Sequence, residues 1–384
     1  MSLVLYRKYR PQTFGEIIGQ EHVVKTLTNA LSADLISHAY LFCGPRGSGK
    51  TTIARLLAKA LNCQNRKESG GEETKVSSSP SLSRNESSVF EPCNQCSSCL
   101  EINQGNAMDI IEIDAASNRG IDEIKELKEG IKFVPTKSKY KVFIFDESHQ
   151  LTKEASNALL KTLEEPPSHA IFILATTEIH KMIPTIISRC QRFDFRRLTV
   201  LEIIKELEII AGKEKVKIEK AALELIALNA GGSFRDAIGL LDQTITFTGN
   251  LGRELQAQDI KEILGLVEVG LIAQFCEFLC QKKPKEAIDF LNETGDKGLD
   301  FQEFAKALIN YLRQALLLKI GGGSLVAGLT KEELEKMQKQ ADVFTESEIQ
   351  NMLNLFLEAQ NKMKYSPIPQ LPLELAIIEV CGIN

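Results

Sequence analysis

Gly44-Pro-Arg-Gly-Ser-Gly-Lys-Thr51 is the stretch on which the fold turns. It satisfies the phosphate-loop pattern G-x-x-x-x-G-K-[ST], and its flanks give that pattern weight. Ahead of it, His38-Ala-Tyr-Leu-Phe-Cys43 is a short apolar, β-rich run. Behind it, Thr51-Thr-Ile-Ala-Arg-Leu-Leu-Ala-Lys-Ala-Leu61 places apolar residues at helical spacing. Gly44, Gly47 and Gly49, with Pro45, Arg46 and Ser48 between them, let backbone N–H groups converge on phosphate oxygens without a Cβ in the way. A helix starting near Gly49 points its positive end at the same anion. Lys50 is expected on the β- and γ-phosphates, the Thr51 hydroxyl on Mg²⁺, and Thr52 beside them.

Lys141-Val-Phe-Ile-Phe-Asp-Glu147 supplies the second half of such a site. A buried strand ending in two carboxylates delivers Asp146 to the magnesium ion and Glu147 to a water beside the γ-phosphate. A glutamate in that position favours hydrolysis over transfer, so the pair points to an ATPase. Two more β-rich runs, 109–114 and 170–175, alternate with helical segments. That alternation predicts a parallel sheet with helices on both faces. Ile173-Leu-Ala-Thr-Thr177 ends its strand in hydroxyls, Ser188-Arg189-Cys190 follows a short helix opening near Pro184, and Gly232-Ser-Phe-Arg235-Asp236 puts an arginine in the first turn of a later helix.

The order of these motifs resembles the AAA+ clamp-loader ATPases, and among them the gamma/tau family of bacterial DNA polymerase III subunits. Tyr6-Arg-Lys-Tyr-Arg-Pro-Gln-Thr-Phe14, Gly19-Gln20, Asp114-Ala-Ala-Ser-Asn-Arg-Gly-Ile121 and Asn157-Ala-Leu-Leu-Lys-Thr-Leu-Glu-Glu-Pro-Pro167 carry the resemblance further. It covers roughly residues 3 to 245 and is only architectural beyond. It implies Thr177 as a sensor of the γ-phosphate, Arg189 as a finger acting on ATP of a neighbouring subunit, and Arg235 as a second sensor within its own subunit. It also implies an adenine pocket along the segment 6–18, with Tyr6 and Arg10. One departure is Ser148 before His149, where the family carries an apolar or small residue. Another is the length of the segment between the first two zinc-type cysteines.

Cys93-x-x-Cys96-x-x-Cys99, with Cys63 at the end of the phosphate-loop helix, offers four sulfurs. By spacing alone these suit either a closed zinc site or an iron–sulfur centre, and the resemblance implies Zn²⁺. Between Lys67 and Glu91 the composition is Ser, Glu and Gly with almost no apolar residues, which reads as a disordered insertion. Asp114 to Gly120 precedes a helical stretch, 122–129, whose first N–H groups, with Arg119, suit a DNA phosphate. An ordinary turn and helix cap is the competing reading of Ser117 to Gly120.

After Leu198 the strand signals stop. Helices are expected over 201–210 and 220–229, with Ser233 and Asp236 as a capping pair. Phe301, Phe304, Leu308, Leu312 and Leu316 form an apolar stripe, and Thr345 with Glu348 caps a further helix. The expectation is three domains: an AAA+ core with a zinc module over 1–198, a helical lid over 199–262, and an all-helical oligomerising collar over 263–384. At 384 residues, 43% hydrophobic, 25% charged and a net charge of −5, the chain has a globular balance that disfavours nonspecific coating of nucleic acid. No apolar run approaches the ~18 residues of a membrane span, and the N-terminus has no signal-like stretch, so a cytoplasmic location and no membrane partner are expected; the resemblance implies association with the nucleoid.

The functional expectation is the ATP-hydrolysing motor of a clamp loader. Its partners would be delta- and delta-prime-type subunits, further copies of itself, a sliding clamp, and primer–template DNA gripped by its phosphates. A branch-migration type of AAA+ motor and an ATP-insensitive scaffold are the alternatives. The chain ends at Asn384 without a long polar extension, which resembles the short form of the family.

Overall fold

The apolar runs at 39–43, 141–146 and 170–176 alternate their side chains between two cores. A computed structural model of the chain describes residues 4–65, 90–117, 130–248, 254–265, 267–321 and 331–382. Five parallel strands form the sheet: β1 (Ala39–Cys43), β2 (Ile110–Asp114), β3 (Lys141–Asp146), β4 (Ala170–Thr176) and β5 (Gln191–Asp194), in the order β2-β3-β4-β1-β5. Tyr40, Phe42, Val142, Ile144, Ile171 and Ile173 point to one face, and Ala39, Leu41, Phe143, Phe145, Phe172 and Leu174 to the other. This is the two-residue period of a strand buried on both sides.

In the first unit, residues 1–256, nine α-helices are described: α1 (Leu5–Lys8), α2 (Glu21–Ser32), α3 (Lys50–Leu61), α4 (Ser97–Gln104), α5 (Lys153–Glu164), α6 (Pro184–Ile187), α7 (Val200–Lys213), α8 (Lys220–Asn229) and α9 (Phe234–Thr248), of which α7, α8 and α9 pack on one another and α1 packs on α9. Val23, Leu27 and Leu31 of α2 and Ile53, Ala54 and Leu57 of α3 cover one face; Ala155, Leu159 and Leu163 of α5 cover the other. Fully burying one such leucine contributes about 1.5–3 kcal/mol. Helices on both faces of a parallel sheet are what the sequence predicts.

The strand β5 is absent from the sequence reading, and its burial explains why. Only Phe193 of its four residues is buried, so it carries no apolar run. Beyond it α7 opens on a complete capping box, Thr199 with Glu202. Ser233 accepts the Asp236 N–H at 3.3 Å to start α9, as its spacing suggests.

The second unit, residues 257–384, is helical: α10 (Ala257–Ile263), α11 (Val269–Cys280), α12 (Pro284–Asp296), α13 (Phe301–Lys319), α14 (Lys331–Val343), α15 (Glu346–Met363) and α16 (Leu371–Cys381). Phe304, Leu308 and Leu312 of the expected stripe join Phe275, Ile349, Met352 and Phe356 in one core. Thr345 and Glu348 form the second capping box. Within that core the Tyr311 hydroxyl donates to Gln340 Oε1 at 2.8 Å, and Gln340 Nε2 donates to the Ala273 carbonyl at 2.8 Å. Among the described residues no helix is long and apolar enough to cross a membrane.

Candidate functional site: the phosphate loop, its carboxylates and the four-cysteine cluster

Strand β1 is wholly buried between β4 and β5 and delivers the chain to the loop 44–49 at the carboxyl end of the sheet. Two glycines there are required by geometry. Gly49, at φ +98°, turns the chain into α3 and offers no side chain to cap it, leaving the first N–H groups of the helix to an anion. Gly47, at φ +73°, lies against Ser233, whose Oγ is 1.9 Å from where a Cβ would stand. Lys50, 6% exposed as a residue, donates its ammonium to the carbonyls of Gly44 at 2.8 Å and Pro45 at 2.9 Å. Burial pulls its pKa down, and Glu147 and Asp146 oppose that pull.

The carboxylates at the end of β3 take different partners. Asp146 Oδ2 accepts the Thr51 hydroxyl at 2.8 Å. Glu147, held in the left-handed region at φ +47°, accepts the Thr177 hydroxyl on Oε2 at 2.8 Å. A non-glycine residue there is strained by about 1–3 kcal/mol, a cost that clusters at functional sites. His149 stands behind it, with Nδ1 3.0 Å from Thr176 Oγ1 and 3.5 Å from Glu147 Oε2. Ser148, the departure seen in the sequence, is buried and donates to the Ala175 carbonyl at 3.0 Å. Its hydroxyl is absorbed by β4 and takes nothing from the carboxylates.

A cavity of about 1020 Å³ opens over these groups. Arg46, Gly47, Ser48, Gly49, Lys50, Thr51 and Thr52 line it from the loop, Asp146 and Glu147 from β3, and Arg235 from α9. Tyr6, Arg10, Ile17 and Ile18 of the N-terminal segment close another side. The Arg235 guanidinium sits 5.0 Å from the Tyr6 ring centre, inside cation–π range. Arg10 Nε donates to Thr52 Oγ1 at 3.4 Å, and burial together with the nearby Arg55 lowers its pKa to about 10. The segment is tied to the following helices as well: Leu5 N donates to Asp242 at 3.2 Å, and Tyr9 and Lys8 both reach Glu214, at 2.5 and 2.7 Å. Tyr9 falls within the segment 6–18 expected at this pocket, His149 is given no role by the sequence, and Glu214, which belongs to no recognisable spacing, escapes it.

Gly44, Pro45 and Thr177 border a smaller cavity of about 420 Å³ on the other side of the loop. Arg189 lines neither cavity. It stands at the end of α6, where it donates to Glu164 at 2.6 Å and to the Thr185 carbonyl at 2.9 Å. Ser117 donates to Asp114 at 2.8 Å in a carboxylate-held turn. Asn118, Arg119, Gly120 and the stretch 122–129 lie outside the described residues.

The sulfurs of Cys63, Cys93, Cys96 and Cys99 all lie within 4.8 Å of one another. A tetrahedron with Zn–S bonds of about 2.3 Å needs edges of about 3.8 Å, and the Cys93–Cys99 distance is 3.9 Å. Backbone N–H groups point at the sulfurs: Cys93 N at Cys63, Cys96 N at Cys93 and Cys99 N at Cys96, at 3.3–3.5 Å. Burial opposes ionisation of Cys93, but N–H groups of Gln95 and Cys96 and the adjoining thiols bring it to about 6; burial pushes Cys63 and Cys99 up. The donor set fits a closed Zn²⁺ site. The expectation of disorder over 67–91 fails at its end: the Glu91 carboxylate accepts the N–H groups of Phe14 and Gly15, each at 2.7 Å. A carboxylate holding two backbone donors fixes a chain that composition alone leaves free. Residues 66–89 lie outside the described residues.

Three family models match the chain: DNA polymerase III, delta subunit, over residues 19–85 and 79–199; DNA polymerase III clamp loader subunit, ATPase lid domain, over 202–250; and DNA polymerase III subunits gamma and tau domain III, over 255–384. The chain is 42% identical to DNA polymerase III subunit tau of Bacillus subtilis over 98% of its own length and 63% of that protein. It is 35% identical to the tau subunit of Escherichia coli, over 99% of this chain and 55% of that one. The chain thus spans little more than half of these tau relatives. Against DNA polymerase III subunit gamma of Buchnera aphidicola it is 35% identical over 98% of both chains. A P-loop AAA+ core, a lid and a helical third domain in this order, matched from end to end by gamma and tau subunits, place the chain in the gamma/tau family of DNA polymerase III subunits.

Proposed function

We propose that the chain is the ATP-hydrolysing motor subunit of a clamp loader, and that it opens a sliding clamp and loads it onto primer–template DNA. One observation carries the reading. The Thr51–Asp146 and Thr177–Glu147 hydrogen bonds, each 2.8 Å, join a phosphate loop, a carboxylate pair and a hydroxyl-tipped strand, and Lys50, Thr51, both carboxylates and Arg235 line one cavity. In this reading the N–H groups of the loop and Lys50 hold the triphosphate, and Tyr6 and Arg10 flank the base. Mg²⁺, held by Thr51 and Asp146, supplies charge neutralisation at the phosphates. Glu147 takes the proton of the attacking water, with Thr177 fixing its carboxylate until the γ-phosphate offers that hydroxyl another acceptor. Arg235 reports nucleotide to the lid. Arg189 lines neither cavity of its own chain, which suits a cation supplied to the ATP of the next subunit.

Zn²⁺ on the four cysteines has a structural role in this reading, since a closed tetrathiolate leaves no open position for substrate. The working domains are 1–198, 199–262 and 263–384, the last serving oligomerisation. Delta- and delta-prime-type subunits, further copies of this chain, the clamp and DNA phosphates are the partners, in a cytoplasmic replisome. A scaffold role would require none of Lys50, Thr51, Asp146 and Glu147, all of which meet at one cavity. The test is the ATPase rate of the chain in its reconstituted assembly, alone, with primed DNA, and with DNA plus clamp. Stimulation by DNA and clamp supports the loader; no turnover under any condition refutes the motor.

A further inference from the structure

Lys59 carries a charge that the nucleotide chemistry does not use. It lies in α3, one helical turn before Cys63, and is 2% exposed. Its ammonium donates to the Gln12 carbonyl at 2.7 Å, to Asn94 Oδ1 at 2.6 Å and to Asn103 Oδ1 at 2.9 Å, with Gln12 Oε1 at 3.1 Å. All four are neutral amide oxygens, and among the described residues no carboxylate stands within ion-pair distance of it. Buried charges are ordinarily paired. Burial pulls the Lys59 pKa down, and the group that most opposes this is Cys99, followed by Glu16, Glu91 and Cys63.

The four-cysteine cluster offers such a partner. A divalent cation on four thiolates carries a net charge of −2. The acceptors around Lys59 also come from the right places. Asn94 lies between Cys93 and Cys96, and Asn103 lies on α4, the helix that carries Cys99. Gln12 belongs to the N-terminal segment, and both Gln12 and Asn103 line the 1020 Å³ cavity. Asn94 Nδ2 donates to the Gln12 carbonyl as well, at 3.2 Å.

We propose that Lys59 is the buried counter-cation of the metal–thiolate cluster, and that through Gln12 and Asn103 it makes nucleotide affinity depend on metal occupancy. Lys59 is a positioning residue in this scheme. The inference rests on the nucleotide site proposed above.

The full chain is titrated with a fluorescent ATP analogue, once loaded with Zn²⁺ and once stripped by a chelator. The ratio of the two dissociation constants is the coupling factor. We expect about 5-fold or more in the wild type, and by reciprocity the nucleotide tightens Zn²⁺ by the same factor in competition with a chromogenic chelator. Lys59→Met brings the factor to about 1 and weakens Zn²⁺ binding about 10–100-fold. Asn94→Gly keeps the left-handed backbone at φ +55° and every thiolate, and lowers the factor too. If Lys59→Met fails to fold, Asn94→Gly decides. A merely structural lysine would weaken nucleotide equally with and without metal, leaving the factor unchanged, and that result overturns the proposal. Nucleotide binding with a wild-type factor of 1 overturns this inference alone; no nucleotide binding at all overturns the site reading and the inference with it.

Discussion

Gly47→Ala tests whether the phosphate loop and the lid form one mechanical unit. At φ +73° an alanine costs about 1–2 kcal/mol in backbone strain. Its Cβ would also meet Ser233 Oγ at 1.9 Å and Ser233 Cβ at 2.9 Å, so the loop and the start of α9 must part by about 1 Å to reach a tolerable contact. Arg235 is two residues further along, and a displacement of about 1 Å at a catalytic constellation can cost about 100-fold in rate. We expect Gly47→Ala to weaken nucleotide binding at least about 10-fold and to slow hydrolysis by about 10–100-fold. Ser233→Gly removes both clashing atoms and costs only a few tenths of a kcal/mol as an N-cap. The double variant should therefore recover all but the strain, leaving at most about 5–30-fold. The assay is a fluorescent nucleotide titration and a steady-state ATPase rate on the four proteins of the cycle, with melting temperatures as a folding control. Strict additivity, the double variant being no better than Gly47→Ala alone, would refute the argument.

Glu147→Gln keeps the nucleotide-holding groups and removes the proton acceptor, so nucleotide affinity should persist while hydrolysis falls by about 10²–10⁴. Arg189→Ala should leave the nucleotide affinity of the isolated chain unchanged and slow the assembled ATPase by about 10³ or more; a loss of affinity in the isolated chain would place the arginine in its own site. Arg196 holds the Glu202 carboxylate down to about 2, with help from the Thr199 backbone. A depressed carboxylate contributes stability above its unfolded value and loses it as pH falls toward the folded one. Melting temperature should therefore decline from about pH 4.5 to pH 2 in the wild type, and Glu202→Gln should flatten that limb while lowering stability at neutral pH.

What the sequence makes legible is whatever obeys a short period or a fixed spacing. The strands β1 to β4 are apolar runs, and the capping pairs at Ser233 and Thr345 announce their helices. The strand β5 escapes because it buries one side chain of four. The loop, Asp146 and Glu147 are readable because their chemistry fixes residue types along the chain. Lys59 is not, since in a helical run of Ala, Leu and Lys its burial depends on Gln12, Asn94 and Asn103, which are brought together only by folding. Glu91 is hidden for the same reason, its carboxylate being fixed by the backbone at Phe14 and Gly15 from far along the chain.

If Arg189 serves the ATP of a neighbouring subunit as proposed, its pairing with Glu164 sets how readily that subunit is recruited. Their side chains are 33% and 50% exposed, so the 2.6 Å contact is a solvated surface pair, worth about 0–1 kcal/mol. In a lone subunit the guanidinium is docked on its own carboxylate, neutralised and out of circulation. A triphosphate presented by a neighbour bears more charge than one carboxylate and outcompetes it at little expense. On that proposal the guanidinium is parked rather than locked, and joining a neighbour needs no separate unlocking step.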